Sequence, residues 1–498
     1  MAANRRGIFI SEEPTPIVPP VRVNASLPVA FVTAPIHLSE DPYNMTNKPQ
    51  LFHTNGQARR AMGFSMRPEI WDNYTAPQVI FSQFNLFGVE PLIMINVLDP
   101  DIHSVDETGA EVVLSRFSGV LQVDGVLIDT VEVSNEDGTT QYEEDTHYTL
   151  AFNRDGLVVI NAKPDVVGGI TEVQTLSVSY TRLAPEMVDE YDILGGVDIL
   201  TDKNLGLEIV DDIYSLFRMI PGQLLAPKWS GNPVVAAVME TKGNNINGHF
   251  RCITLNDMPT MVENAGGELV PHRYQNVPAW KNNNNFVSTR QVNLYPMLRL
   301  GNQKYYYSSQ MAGLIGRTDF DNGDVPYESP SNNNLQINGL CYENGEEIIL
   351  NNVKGTFLAN NGIISAINFT NGWVAWGNRT GAFPGSTDVK DVFLPVRRMF
   401  DWIGNTLVLT HFIRVDAPIS RRLRDTIIDS GNIWLNGLAA RGFILGGRIE
   451  PLQEDDNPLT DLLDGILRFR VRVSPPPPFE QGEFILQYDP SYLMTLFQ

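Results

Sequence analysis

The chain has 498 residues, a formal net charge of −22, a hydrophobic content of 43% and a charged content of 19%. These values describe a globular chain long enough for about three domains, and they exclude a largely disordered protein. The acidic balance argues against direct binding of nucleic acid, which requires clustered cations on the protein surface. We therefore expect a soluble surface that associates only through specific contacts.

Residues 1–25 are predicted to form an extended arm. A short β-type run, Ile8, Phe9 and Ile10, is followed by a cluster of prolines from Pro14 to Pro20. Because proline lacks a backbone donor, the run cannot belong to a helix or to a central strand of its own domain. It is either an edge strand that pairs within its own subunit or a strand donated to a neighbouring subunit. It is too short for a signal peptide, and we expect no membrane span anywhere in the chain.

Residues 26–98 are predicted to begin an α/β domain. The runs Val29–Val32 and Leu92–Leu98 are unbroken apolar strands, which is typical of strands that a sheet buries on both faces. Between them, Gln57–Met62 is predicted to form a helix.

Residues 99–185 change to a pattern of short β-rich runs. Asp-Gly turn signals at Asp124, Asp137 and Asp155 separate these runs, and no helical period is visible. We therefore predict a small β-sandwich or barrel inserted into the α/β domain.

The alternation of strands and helices returns over residues 186–371. A helix at Asp211–Met219 precedes a short strand at Gln223–Pro227. Asn232-Pro233 then opens a further helix ahead of the strand Arg251–Leu255. This β-α-β unit predicts a parallel sheet with a right-handed crossover.

The later part of that domain is rich in asparagine, tyrosine and glycine. The runs Asn282–Asn285 and Tyr305–Tyr307 indicate strands joined by long loops. Asp319–Asp324 has a faint likeness to a calcium loop. A turn is the better interpretation, because Gly323 replaces an oxygen ligand and Pro330 stands where the bidentate glutamate belongs.

Residues 372–480 have the clearest helical periodicity in the chain. Apolar residues from Val396 to Leu407 recur on one helical face. A second helix is predicted to begin after Ser420 as its N-cap and to end at Gly442. A strand follows, so we predict an α+β domain here.

This strand alternates strictly between apolar and basic side chains. One face carries Leu467, Phe469, Val471 and Val473, and the other carries Arg468, Arg470 and Arg472. The arginines form either a solvated face or a contact with an acidic surface of another subunit. Pro475–Pro478 ends the strand. Residues 481–498 are predicted to be a second extended arm with a last strand-like run that includes Phe484, Ile485, Leu486 and Tyr488.

The sequence carries no recognisable catalytic, metal or phosphate motif. None of the seven histidines stands in a hydrolase pattern, and no Gly-x-Ser-x-Gly elbow occurs. Neither a Walker motif nor a dinucleotide fingerprint is present. We therefore expect no enzymatic activity and no cofactor. Cys252 and Cys341 have apolar or aromatic neighbours, which indicates two buried thiols rather than a disulfide.

The order of several motifs resembles that of the contractile-tail sheath family, the sheath subunits of contractile bacteriophage tails and their relatives. Trp376-Gly-Asn-Arg379-Thr380 comes first, then a Val-Arg-Arg helix at Val396 and a second helix that ends in glycine. Asn457-Pro458, a strand, a proline-rich stop and a terminal strand complete the order. The N-terminal segments Gly7–Pro14 and Leu27–Pro35 are similar to the start of the same family.

The resemblance implies a subtilisin-like α/β middle domain that carries the β-sandwich, and an α+β C-terminal domain with extended arms at both ends. It implies a structural subunit that polymerises as stacked, hexameric rings around an inner tail tube and contracts to drive the tube through a target cell envelope. It further implies contacts with baseplate and tail terminator proteins, assembly in the host cytoplasm and a final place in the virion. Neither direct binding of nucleic acid nor membrane insertion is expected. It favours donation of both chain ends to the sheet that neighbouring subunits build on Leu467–Val473.

Two alternatives remain open. Sheath subunits of contractile bacteriocins and of other injection systems look alike in sequence, so the parent particle is not determined. An α/β hydrolase or binding module is a different class of function. The missing signal peptide, metal site and nucleophile motif argue against that class.

Overall fold

The computed structural model describes residue 21 and residues 23–370, 372–451 and 457–497. The predicted donor strand Ile8–Ile10 lies outside the described residues. The strands are β1 Pro28–Val32, β2 Gln50–Phe52, β3 Leu92–Asn96, β4 Ser104–Val113, β5 Ser118–Val120, β6 Glu132–Asn135, β7 Gln141–Tyr142, β8 Tyr148–Phe152, β9 Val158–Ala162, β10 Thr175–Leu183, β11 Gly196–Asp198, β12 Lys203–Leu205, β13 Gln223–Leu225, β14 Ile253–Asp257, β15 Met261–Glu263, β16 Leu269–Pro271, β17 Gln291–Leu294, β18 Met297–Leu300, β19 Gln303–Tyr305, β20 Gly339–Cys341, β21 Glu347–Ile348, β22 Ile363–Phe369, β23 Gly372–Trp376, β24 Gly446–Pro451 and β25 Phe469–Ser474.

The α-helices are α1 Asn55–Met62, α2 Pro68–Asn73, α3 Ala76–Ile80, α4 Glu190–Leu194, α5 Ile213–Phe217, α6 Pro233–Asn244, α7 Val277–Asn283, α8 Tyr307–Asp321, α9 Asn352–Ala359, α10 Val389–Val392, α11 Leu394–Phe412, α12 Arg421–Ala440 and α13 Leu459–Leu463. Within the described residues, no helix is long and apolar enough to cross a membrane.

A mixed sheet of eight strands forms the centre of the molecule, in the order β2-β3-β1-β13-β14-β17-β22-β23. The pairs from β3 to β22 are parallel, and β2 and β23 add an antiparallel strand at each edge. Every residue of β1, β3, β13, β14 and β17 is buried. This explains the unbroken apolar runs at Val29–Val32 and Leu92–Asn96, because a parallel sheet is covered on both faces.

The predicted β-α-β unit is present. Asn232 caps α6 by accepting a hydrogen bond from the Val234 amide, and Pro233 occupies the first turn. Strands β13 and β14, on either side of this helix, pair in parallel. The helix predicted at Asp211–Met219 is shorter than expected, because residues 206–212 form a 3₁₀-helix and α5 ends at Phe217.

Residues 104–183 fold into two small antiparallel sheets. One has the strand order β4-β10-β6-β7 and the other has the order β5-β9-β8. Apolar side chains from both sheets form a core of their own, apart from the main core; it includes Val133, Tyr148, Ile160 and Leu176. The turn-rich, helix-free sequence therefore forms a β-sandwich with an independent core.

The prediction of strands with long loops in the later part of the α/β domain was wrong in two places. Asn282 and Asn283 are the last residues of helix α7 and not part of a strand. Tyr307–Asp321 forms α8, a helix of 15 residues that is buried on nearly all sides. Two of its glycines permit close packing, since a Cβ atom at Gly313 would meet Phe87 and one at Gly316 would meet Val89. A helix buried all round has no polar face, so the amphipathic period that reveals a helix in a sequence is missing.

The two helices predicted in the C-terminal part are α11 and α12. The hydroxyl of Ser420 accepts a hydrogen bond from the Leu423 amide and caps α12 as predicted. Strand β24 packs against α12, where Gly431 leaves room for Ile449; a Cβ atom at this glycine would lie 2.3 Å from the Ile449 side chain.

Buried ion pairs join α11 to the α/β body. Arg398 makes a bidentate pair with Asp319 at the end of α8, and both side chains are almost fully buried. One turn further along α11, Asp401 accepts hydrogen bonds from Arg290 at 2.8 Å and from Arg397 at 3.0 Å. These pairs fix how the helix lies on the sheet, because any other placement would leave buried charges without a partner.

We expect Asp319→Asn to lower the free energy of unfolding by about 3 kcal/mol, because the buried Arg398 guanidinium loses its counter-charge. Urea denaturation followed by tryptophan fluorescence measures this change. The matched control is Asp321→Asn, two residues along the same helix, whose carboxylate pairs with Arg317 at the surface. This control should leave the unfolding midpoint almost unchanged; equal midpoints for the two variants would contradict the role of the buried pair.

Candidate subunit interface

The sheet formed by β24 and β25 has two strands within the described part of the chain. The strands are antiparallel, with Arg448 opposite Arg472 and Ile449 opposite Val471. Each strand therefore has one edge without a neighbouring strand among the described residues, and at the edge of β24 the Asn432 side chain of α12 binds both the N–H and the C=O group of Ile449. A two-stranded ribbon is marginally stable, and an open edge presents backbone N–H and C=O groups that can pair with another strand.

The predicted alternation in β25 is present. Phe469, Val471 and Val473 are half-buried and pack against the main core, whereas Arg470 and Arg472 are exposed. Ile449 of β24 is buried on the same side. The prediction placed the start of the strand too early, because Leu467 lies before β25, which begins at Phe469.

Two of the predicted basic residues pair within their own subunit. Arg468 forms an ion pair with Asp461, and the Nε atom of Arg472 lies 3.0 Å from a carboxylate oxygen of Glu450. Hydrogen bonds from Arg448 and Arg472 lower the pKa of Glu450. Arg470 lies on the same exposed face. A contact with an acidic partner surface stays a prediction.

The C-terminal segment leaves the body with its apolar side chains in solvent. No strand is present from residue 475 to residue 489, and Pro490–Phe497 forms a 3₁₀-helix, where the sequence predicted a continuous extended arm. The predicted donor side chains Phe484, Ile485, Leu486 and Tyr488 are 92%, 84%, 95% and 74% exposed. So many exposed apolar side chains in one open segment indicate a surface that a partner covers.

The first described residues of the chain lie against helix α11. Trp402 donates a hydrogen bond to the carbonyl oxygen of Val23 at 3.0 Å, and Arg398 donates one to that of Ala25 at 3.3 Å. The Val21 amide donates to the Thr410 hydroxyl at 3.2 Å. The last residues of the predicted N-terminal arm are therefore fixed to the same C-terminal part that carries β24 and β25.

The buried polar groups around Asp257 are arranged differently from a nucleophilic site. Asp257, at the end of β14, accepts hydrogen bonds from the amide and hydroxyl groups of Ser308 and from the Ser230 hydroxyl. The Ser308 hydroxyl thus donates directly to a carboxylate, and no hydrogen bond found in the described residues links it to a histidine. A hydrolase serine needs a base that removes its proton, and that base needs an orienting partner. His249 instead packs against the rings of Phe250 and Phe412.

The predicted state of the cysteines is confirmed: Cys252 and Cys341 are both free and buried. Burial raises the pKa of both thiols, that of Cys341 to about 11. Thiols of this kind are poor nucleophiles and poor metal ligands. Among the residues that the structure describes, no group of three or more His, Cys, Asp or Glu side chains could hold a metal ion. In the faint calcium-like run, Asp319 is already paired with Arg398.

Comparison with known proteins gives a consistent result. No protein-family model matches the chain. It is 26% identical over 434 residues to the tail sheath protein of Burkholderia phage BcepMu, a match that covers 85% of this chain and 86% of that protein.

Two solved structures share the fold over nearly the whole chain. The helical sheath of the anti-feeding prophage in its contracted state has a TM-score of 0.55 at 14% identity, covering 97% of this chain and 99% of that one. The sheath complex of an extracellular contractile injection system, PVC, also in the contracted state, has a TM-score of 0.54 at 12% identity and covers 98% of both chains. The resemblance to contractile tail sheath proteins is therefore confirmed, together with the mixed α/β, multidomain fold.

Asp257 gives a test of the buried polar centre. Burial raises the pKa of its carboxyl group from 3.8 to about 6. Between these two values the folded chain binds a proton that the unfolded chain has lost, so this group's contribution to stability falls as the pH rises through 6.

Relative to the Asp257→Asn variant, the wild-type chain should lose about 2–3 kcal/mol of unfolding free energy between pH 4 and pH 7. Urea denaturation at a series of pH values measures this difference. Asp198→Asn is the control: a hydrogen bond from Thr201 lowers the pKa of the exposed Asp198, so the difference between this variant and the wild type should stay constant between pH 4 and pH 7. A difference between wild type and Asp257→Asn that does not vary with pH would show that the carboxyl group does not titrate in this range.

Proposed function

We propose that this chain is a structural subunit of a contractile tail sheath, which polymerises around an inner tail tube and contracts to drive the tube through the envelope of a target cell. The observation that carries the proposal is a sheet with only two strands among the described residues, together with an exposed apolar arm in the same subunit. The likeness to sheath proteins over nearly the whole chain supports it.

The open sheet and the arm complement each other. In an extended conformation Phe484, Leu486 and Tyr488 lie on one face, and Phe469, Val471 and Val473 form the half-buried face of β25. A donated strand can thus extend the apolar face of the sheet while its backbone pairs with an open edge. Each backbone hydrogen bond gained in this way contributes about 0.5–1.5 kcal/mol.

We propose that the sheet accepts two donors, one at each edge, and that the donor at the β24 edge displaces the Asn432 side chain from the backbone groups of Ile449. The strand at Phe484–Tyr488 of one neighbour and the predicted strand at Ile8–Ile10 of another can each occupy one edge, and the latter strand lies outside the described residues. Such exchange links subunits through flexible segments, so that they can turn and slide as nearly rigid bodies without the lattice falling apart. The energy released on contraction then comes from body-to-body contacts that differ between the extended and contracted states.

The likeness to sheath assemblies supports an oligomeric sheath and a place in a phage virion or a related particle. The finer assignments are proposals: stacked hexameric rings, contacts with an inner tube protein and with baseplate and tail terminator proteins, and assembly in the host cytoplasm. The subtilisin-like character of the middle domain is also a proposal. So are the divisions at residues 1–25, 26–98 with 186–371, 99–185, 372–480 and 481–498. The separate core formed by residues 104–183 supports the division at residues 99–185.

We propose that the parent particle is a phage tail, because the tail sheath protein that matches 85% of this chain comes from a phage. A contractile bacteriocin or another injection system is the alternative, favoured by the fold shared with such systems. Electron microscopy of the purified particle separates them, since only a phage carries a capsid. The second alternative, an α/β hydrolase, finds no support in the Ser308–Asp257 arrangement. We therefore propose a protein without enzymatic activity or cofactor.

Strand donation predicts that tube formation depends on which face of the arm a substitution changes, and less on the composition of the arm. We expect Phe484→Asp with Leu486→Asp to abolish tubes, because both carboxylates would be forced against the apolar face of the acceptor sheet. The matched control is Ile485→Asp with Gln487→Asp, which places two carboxylates on the opposite face, where Arg470 and Arg472 are exposed.

Sedimentation and electron microscopy measure tube formation, and circular dichroism checks the fold of each variant. Deletion of residues 481–498 should likewise leave a folded subunit that forms no tubes. Normal tubes from the truncated chain, or equal loss from both substituted pairs, would contradict strand donation by this arm.

A further inference from the structure

Arg379, in the Trp376–Thr380 motif, has a side chain that is packed against two aromatic rings. The Arg379 guanidinium lies between two aromatic rings, with its central carbon 4.4 Å from the ring centre of Phe383 and 4.1 Å from that of Phe393. The backbone of Arg379 forms a β-bridge with Phe393. The side chain is thus held in one position, so little conformational entropy is lost when it binds a partner.

Its partner comes from the root of the C-terminal arm. The Nε atom of Arg379 donates to a carboxylate oxygen of Glu480 at 2.8 Å, and a terminal nitrogen donates to the other oxygen. A planar guanidinium that binds both oxygens fixes the direction of the carboxylate as well as its distance. The pair is only partly exposed, with 19% of the arginine and 36% of the glutamate side chain in solvent.

The position of Glu480 determines which part of the C-terminal segment can move. It follows the proline run Pro475–Pro478, whose first residue is buried, and it precedes the exposed apolar run. With both ends of the proline run held on the body, the free part of the arm begins at Gln481. The prolines then act as a fixed spacer between β25 and the Glu480 contact.

We propose that Arg379 is a positioning residue for the C-terminal arm: it clamps Glu480 to the body and sets the point and direction from which the arm reaches a neighbouring subunit. This proposal rests on strand donation by the arm. Without the clamp, the flexible stretch ahead of Phe484 begins at Pro475 instead of Gln481 and is about three times longer. Effective concentration falls as roughly the −3/2 power of linker length, so donation should weaken about fivefold.

The test uses the full chain with a nitroxide on Phe479→Cys, an exposed position inside the stretch that the clamp holds; the two natural thiols are buried and leave this position selectively reactive. In unassembled subunits, Arg379→Ala and Glu480→Gln should convert the restricted label spectrum to that of a free segment. In assembly, both should raise the critical concentration for tubes about fivefold. Arg379→Lys keeps the charge but loses the two-oxygen geometry, so it should resemble alanine more than wild type.

Arg317→Ala is the matched control. Arg317 also pairs with both oxygens of a carboxylate, Asp321, and lies near an aromatic ring, Phe320, but it is far along the chain from the arm root. It should change neither the label spectrum nor the critical concentration. Thermal unfolding checks that each variant keeps the stability of the parent.

Each outcome decides the matter. An unchanged spectrum and critical concentration in Arg379→Ala would overturn the clamp, even where deletion of residues 481–498 abolishes tubes. A weakened assembly that follows a lowered unfolding temperature, with the label still restricted, would also overturn it. If the arm deletion forms normal tubes, strand donation fails, while the label spectrum still reports separately whether Arg379 holds the arm root.

Discussion

The contact between α11 and the α/β body is the constraint on which the C-terminal part depends. It consists of buried guanidinium and carboxylate groups: Arg398 with Asp319, and Asp401 with Arg290 and Arg397. Separating such groups leaves charges in a medium that solvates them poorly, so the docking has one favourable geometry. The same α11 holds the first described residues through Trp402 and Arg398. The body that contains β24 and β25 is therefore oriented by electrostatics as much as by apolar packing.

This rigidity contrasts with the features that face outward. The sheet of β24 and β25 has no third strand among the described residues, and the residues after Glu480 expose a run of large apolar side chains. The described part of one subunit completes neither feature, whereas a repeating array of the same subunit can complete both. The fold thus has a fully packed core at its centre, while the two-stranded sheet and the exposed arm lie at its periphery. Assembly by strand exchange between subunits requires this arrangement.

Much of this could be predicted from the sequence where local rules decide. Val29–Val32 and Leu92–Asn96 are buried parallel strands, Ser420 caps α12, and β25 alternates as its sequence indicates. The resemblance to sheath proteins was also correct. What failed depended on tertiary context. Helix α8 lacks a polar face because its surroundings bury it, and the partner of β25 is a strand about 20 residues earlier that no local pattern announces. The bidentate contact between Arg379 and Glu480 joins residues 101 positions apart, so neither residue alone signalled it.

The missing side chain at Gly431 has a mechanical consequence. Because Ile449 fills the space against the backbone of α12, the two-stranded sheet and that helix have almost no layer of deformable side chains between them at this point. Close-packed protein interiors are stiff. Tension on a strand bound to β24 or β25 is therefore transmitted to the helix with little local deformation. Under the proposed strand donation, a force that one subunit exerts on the arm of another would then move the C-terminal body as one rigid unit. The flexibility of the assembly would lie in the arms.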